Sequence, residues 1–459
     1  MKILLFLVFS LLSQTQNVFS QTKPASSVED TSEYQIDVIL VDGLFRTQKR
    51  IVVRELGFGE GSIVTHQDIE KGIQRVRDLG LFRLVSYALS DQEIIGKKPI
   101  SGEDPPRVES VTVDPVVGNQ ALLHRVIRIH VDERWTLLPF WRFNQGGGEL
   151  SFSAGLVDRN LFGSYISAGF QYNRFSGTNS VSLFVADPRF LDTRLSFSGS
   201  LSQRNLTQFV YDDEGTPTDG WLLLRRAVGL NLDYDWTDIF RTGMNVGLAV
   251  DDFSSRLIPA EIADLKKGAP KSERLLAISF SASLGQINTR KYLKKGVRYN
   301  HWVRLLEPNL GSSFRSLGTS GSLNAFAILP WDINLAGRLA AGIQTTQNEN
   351  YAYTLGGLGE VRGFFHRRFR GTKYWFANAE MRVPSFDNRY FVIQHIAFID
   401  LANTGFGNDS IFGLEAASTG LGLRIIIPKV IGFIARLDYA IPLKGQGTSV
   451  LSFGSQQFF

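Results

Sequence analysis

"RLSFSGSLSQ", residues 194–203, sets Leu195, Phe197, Gly199 and Leu201 at one parity and serines at the other. Successive side chains of a strand point to opposite faces, so this stretch has one apolar face and one polar face. "AVGLNLDYDW" (227–236), "MNVGLAVDDF" (244–253), "INLAGRLAAGI" (333–343) and "IGFIARLDYAIPL" (431–443) repeat the pattern. Dividing residues 138–459 in this way gives about sixteen strands, many long enough to cross a bilayer at a tilt. Such strands suit a closed barrel with lipid outside and water inside.

Connection lengths point the same way. If the first strand rises from the periplasm, every second connection is short: "DRNLFG", "DPRFLD", "WTDIF", "LPW" and "IPKV". The intervening connections, expected at 207–221, 256–272, 347–371 and 403–416, are long. Short turns at one end and long loops at the other are the habit of outer-membrane barrels. A soluble sandwich or propeller rarely sustains such long strands and needs no such asymmetry.

Upstream of residue 136 the period differs. "YQIDVILVDG" alternates as a strand, and "TQKRIVVREL" reads as a short helix capped by Thr47. In "THQDIEKGIQRVRDLG", Thr65 and Asp68 stand at capping-box spacing, Ile69, Ile73 and Val76 form an apolar face, and Gly80 is the stop. Strands follow at "LFRLVSYAL" and "RVIRIHVDE". The expectation is a small βααββ domain over 34–133, with an excursion at 90–122 and two helices on one face of its sheet. Before it, "MKILLFLVFSLLSQTQNVFS" has the layout of a secretory signal peptide over 1–20, and 21–33 reads as a polar linker.

The 459 residues contain no cysteine, so stability must come from a core or a membrane rather than from disulfides. Lysine and arginine (49) are interspersed with aspartate and glutamate (44), a net charge of +5 without a nucleic-acid footprint. The six histidines show no metal-ligand spacing. No G-x-S-x-G, Walker A or βαβ G-x-G-x-x-G sequence is present. Asp212, Asp213 and Glu214 read as a solvated loop tip rather than a calcium site. The expectation is a protein that is not an enzyme and uses neither metal nor cofactor.

Between two alternating segments stands "LGGLGEVRGFFHRRFRG", 355–371. Its arginines would be costly to bury unpaired. Glu380 in "NAEMRVP" and Asp400 in "AFIDLANTG" lie on the next two strands, so an inward-folded loop could bring Arg362 to either carboxylate.

Taken together, these stretches resemble the BamA/TamA/Sam-type outer-membrane assembly superfamily, or bacterial surface antigen family, in a form with one POTRA domain. "VDGLFRTQKRIVVREL" and "DLGLFRLVSY" look like POTRA signature stretches. "GLVDRNLFG", "YTLGGLGEVRGF", "NAEMRVPSF", "AFIDLANTG" and "IARLDYAIPL" match barrel blocks in the family's order. The resemblance covers 34–459. It implies a POTRA domain in the periplasm and a barrel, over 136–459, in the bacterial outer membrane. It also implies that Val361, Arg362, Gly363 and Phe364 form a loop tip docked on acidic lumen residues, Glu380 and Asp400. Gly454 and Phe459 would belong to a C-terminal strand signal. The chain departs from the family pattern at Asn288, Leu293 and Gln457.

The function so implied is insertion or translocation of unfolded outer-membrane or secreted clients. Strands would be captured at the POTRA sheet edge and passed to a weak seam between the first barrel strand, near Phe140–Asn144, and the last, near Leu451–Phe459. Partners would be these clients, the lipid bilayer, and periplasmic chaperones or accessory lipoproteins. The alternative is a passive pore or a two-partner-type secretion channel.

Overall fold

The computed structural model describes residues 33–90, 123–175, 177–211, 217–256, 270–346, 348–357, 359–388, 390–427 and 434–459. The expected signal peptide (1–20), the expected linker before Glu33, nearly all of the expected excursion at 90–122, the acidic cluster 212–214 and Pro428–Val430 lie outside the described residues. The chain divides into two compact units, Met1–Arg134 and Trp135–Phe459.

In the N-terminal unit, β1 (Glu33–Asp42), α1 (Lys49–Leu56), β2 (Ile63–Thr65), α2 (His66–Asp78), β3 (Phe82–Ser90) and β4 (Leu123–Glu133) follow in order. The sheet runs β2-β1-β4-β3. β1 and β4 are parallel, and the other pairs are antiparallel. Ile36, Ile39, Ile127 and Ile129 of the strands are fully buried, as are Ile51, Val52 and Leu56 of α1 and Ile69, Ile73 and Val76 of α2. Helix α2 begins with the capping box: the Asp68 amide donates to Thr65 Oγ1 at 3.2 Å, and the Thr65 amide donates to Asp68 Oδ2 at 3.1 Å. Arg75 closes α1 by donating from Nε to the Glu55 carbonyl at 2.7 Å, where a cation meets unpaired helix carbonyls.

Two local readings change. A three-residue strand, β2, separates the helices; at that length it leaves no periodic signal. Thr47 is not the cap of α1. Gln48 takes that position without a side-chain cap bond, because the approach to the helix is tied elsewhere. The amides of Phe45, Arg46 and Thr47 all donate to the Glu133 carboxylate, at 3.1, 3.0 and 2.8 Å.

The second unit is a closed antiparallel barrel of sixteen strands. These are β5 (Leu137–Gly146), β6 (Glu149–Leu161), β7 (Ile166–Phe175), β8 (Thr178–Phe190), β9 (Leu195–Tyr211), β10 (Pro217–Asp235), β11 (Phe240–Arg256), β12 (Glu273–Arg290), β13 (Leu293–Leu306), β14 (Ser316–Ile328), β15 (Asn334–Gln344), β18 (Lys373–Asp387), β19 (Val392–Gly405), β20 (Ala416–Ile426), β21 (Ile434–Lys444) and β22 (Val450–Ser455). A two-stranded ladder, β16 (Tyr353–Leu355) with β17 (Phe369–Gly371), lies within the connection from β15 to β18. Leu183, Leu201, Leu230, Phe280 and Leu421 are among the large apolar side chains exposed on the strands, as a lipid-facing wall requires.

The expected loop at 207–221 is mostly strand. Residues of β9 and β10 stay paired up to Tyr211 opposite Pro217, because the ladder continues beyond the apolar stretch. The last strand is shorter than expected. It ends at Ser455; Gln456 adopts φ 78°, and the chain leaves the wall there.

Candidate functional site

Residues 345–372 connect β15 to β18, and their tip lies inside the barrel. Val361, Arg362 and Phe364 are 0%, 3% and 1% exposed. Val361 and Phe364 share an apolar cluster with Leu355, Phe369, Tyr374, Phe376, Ala402 and Ala416. Loop and wall are therefore packed into one core. Gly363 has φ 86°, and a Cβ there would sit 3.5 Å from Ala440 and Pro442 of β21.

The Arg362 side chain bridges both carboxylates that the sequence sets beside it. Nε and Nη2 donate to Asp400 Oδ2 and Oδ1 at 2.7 and 2.8 Å, and Nη1 donates to Glu380 Oε1 at 2.7 Å. The Arg362 amide adds a bond to Asp400 Oδ2 at 3.2 Å. The rings of Phe398 and Phe458 lie 3.5 and 3.9 Å from its Cζ, so aromatic faces flank the guanidinium. Strand parity explains the meeting. Asn378 pairs with Asp400 across β18 and β19, and Glu380 lies two residues farther along the same face.

The site is larger than the expected trio. Arg382 Nε donates to Glu380 Oε2 at 2.9 Å, and Arg424 Nη1 donates to Asp438 Oδ1 at 2.6 Å. Arg362 Nη1 lies 3.7 Å from Asp438 Oδ2, and Arg436 Nε 3.6 Å from the same oxygen. Asn378 Nδ2 donates to Asp400 Oδ1 at 2.8 Å and to the Glu360 carbonyl at 2.7 Å. Each buried charge thus has an opposite neighbour, which is the condition for burying it at all. The sequence carries a signal for these partners: Arg382, Arg424, Arg436 and Asp438 occupy inward parities of strands whose other face is apolar.

The base of the same loop holds the far wall. Tyr351 donates from its hydroxyl to Asp251 Oδ2 at 2.8 Å, while Arg225 donates to both oxygens of Asp251 at 2.7 and 2.6 Å. Nothing in the sequence reading singled out Asp251. Among the described residues no group of three or more His, Asp or Glu could hold a metal ion.

Gly454 and Phe459, expected together on a final strand, are separated. Gly454 remains in β22 opposite Asn144. Phe459 lies past the end of the strand, with the Arg382 Cζ 5.3 Å and the Arg338 Cζ 5.1 Å from its ring. Arg382 Nη2 donates to the Phe459 main-chain oxygen at 3.1 Å. Phe459, expected on a final strand, instead faces buried arginines.

Barrel closure is thin at one place. Among the described residues, the ladder between β22 and β5 has two pairs, Phe453 with Gln145 and Gly454 with Asn144. β21, on the other side of β22, pairs with it from Ala435–Ser455 to Ala440–Val450. Phe143 and Phe453 stack across the seam with centroids 5.2 Å apart. Ser455 Oγ accepts from the Phe143 amide at 3.2 Å and donates to its carbonyl at 3.3 Å. A side chain thus supplies bonds that a longer strand would make with its backbone.

Residues 160–459 match the Omp85 superfamily domain. The chain belongs to the Omp85 superfamily. As a barrel of that family it is an outer-membrane protein, and its N-terminal unit fits a single POTRA-like domain. The solved structure of BamA from Haemophilus ducreyi lacking POTRA domains 1–3 is similar, with a TM-score of 0.64 and 15% identity over 92% of this chain and 85% of that one. CdiB from Acinetobacter baumannii aligns with a TM-score of 0.51 and 13% identity over 97% of this chain and 96% of that one. CdiB from Escherichia coli gives a TM-score of 0.51 and 13% identity over 95% and 93%. These identities speak for the Omp85 fold alone. No curated protein matches the chain significantly in sequence.

Proposed function

We propose that this Omp85 protein inserts client proteins into the outer membrane through the seam between β5 and β22. The observation that carries the reading is the two-pair junction of Phe453–Gln145 and Gly454–Asn144. So short a ladder holds the two edges weakly, and in hydrocarbon main-chain groups left unsatisfied cost several kcal/mol each. An incoming client strand would satisfy them, so client folding itself drives the exchange. A lumen partly filled by the 345–372 loop favours this lateral route over passage of a chain through the barrel. The N-terminal domain, on the periplasmic side, offers the outer edge of β3, which no other strand occupies among the described residues. Arg362, with Glu380 and Asp400, fixes the loop that supports the wall beside the seam. Periplasmic chaperones or accessory lipoproteins would deliver clients to the same domain. The chemistry is non-covalent throughout.

A disulfide tests this directly in a chain without cysteine. Gln145→Cys with Phe453→Cys places thiols on a facing pair, where disulfide geometry is accessible. The oxidised barrel should stay heat-resistant but stop inserting clients into liposomes, and reductant should restore insertion. Unchanged insertion through a verified crosslink rejects the seam. A barrel that only passes solutes would conduct equally in both states.

A further inference from the structure

The lumen loop touches both edges of the seam. On the β5 side, the His366 amide donates to the Gly147 carbonyl, in the turn from β5 to β6, at 2.9 Å. Gly147 has φ 60°, and a Cβ there would lie 2.7 Å from Gly357 Cα and from the Phe364 carbonyl oxygen. Backbone thus meets backbone with no room for a side chain. On the other side stands the turn from β21 to β22. A Cβ on Gly447 would lie 2.7 Å from the Gly363 carbonyl oxygen and 2.9 Å from Phe364 Cδ1. Past the end of β22, Phe458 lays its ring 3.9 Å from the Arg362 Cζ.

We propose that residues 361–366 form a staple across the seam from inside the barrel, gripping one edge at Gly147 and the other at Gly447 and Phe458. The staple compensates for the short ladder between β5 and β22. The same contacts make it a regulator. While Arg362 is clamped by Glu380 and Asp400 the two turns are held together, and loop withdrawal frees both at once. The coupling also runs in reverse, since drawing β22 outward pulls Phe458 off Arg362. Phe458 is accordingly a positioning residue, acting on the seam through the arginine.

The inference rests on the seam reading above, but its test needs no client. Gly447→Val adds a side chain where three atoms already stand within 3 Å, at a glycine without positive φ. Phe458→Ala removes the second contact on that same edge and adds nothing, so it serves if the first variant fails to fold. Hydrogen exchange is followed in the otherwise unaltered full-length protein in nanodiscs. In both variants the amides of 450–455 and 143–146 should exchange at least about tenfold faster, together with those of 361–366, while β9 and β10 are unchanged. Seam exchange that stays at the parent rate overturns the staple, whether or not the loop has loosened. So does a loosened seam beside a loop that keeps its protection. Client insertion that survives the oxidised crosslink would reject the seam reading and leave this exchange result standing.

Discussion

Arg362 is nearly enclosed and makes three side-chain bonds to two carboxylates. Its two partners are not equivalent. Glu380 keeps Arg382 at 2.7 Å when Arg362 is removed, whereas Asp400 keeps the neutral amide of Asn378. Arg362→Ala should therefore destabilise the barrel by about 3–5 kcal/mol, the cost of breaking a buried pair from one side. Double-mutant cycles in denaturant should give a coupling of about 1 kcal/mol or more with each carboxylate, larger for Asp400→Asn than for Glu380→Gln. Additivity in both cycles would dismiss the clamp, and a larger coupling to Glu380 would dismiss its asymmetry. Arg362, Glu380 and Asp400 were legible because an arginine among glycines and apolar residues needs a buried acid, and two acids stand on the following strands. Phe458 was not legible. Gln457, a departure from the family pattern, is the one local sign that the chain leaves the wall at Gln456; its side chain accepts from Arg424 Nε at 3.2 Å.

Elements were readable to the extent that their period is local. Barrel strands declare themselves through parity, and α2 through its cap and apolar face. The three residues of β2 are too few for a period, and α1 starts without a side-chain cap because Glu133, far along the chain, organises its approach. α2 supplies a prediction at this scale. Thr65→Ala should weaken the helix by about 1 kcal/mol, seen as faster hydrogen exchange across 66–78 in the full chain. Hydrogen bonds from Thr65 hold the Asp68 carboxyl below its ordinary value. A lowered carboxyl stabilises the fold above its ordinary range and loses that contribution as pH falls through the lowered value. The difference between parent and Thr65→Ala should accordingly shrink on acidification. A difference that grows in acid would contradict this role for the box.

At the scale of the molecule, barrel closure and the proposed client capture belong to different parts of the chain. Every ladder that closes the barrel lies between Leu137 and Ser455, and the buried charges of the lumen sit within the same span. Among the described residues, the N-terminal sheet contributes none of these bonds. What it offers is an edge: β3 pairs with β4 on one side, and among the described residues no strand pairs with its other side. A strand added there would be held by main-chain bonds that read no particular sequence, which suits a receiver of many clients. Deleting residues 33–134 should thus leave a barrel that folds into liposomes and keeps its heat resistance. Client insertion should fall at least about tenfold, since each encounter must then find the seam by diffusion rather than from a tethered strand at high local concentration. Proline at those β3 positions whose amides point away from β4 separates the edge from the rest of the domain. Proline removes ladder donors and blocks strand addition. If edge capture is the step, the proline variant should insert clients as poorly as the deletion. Should the deletion insert at the parent rate, strand capture by this domain is not part of the mechanism. Should the deletion fail while the proline variant works, the domain acts through another surface.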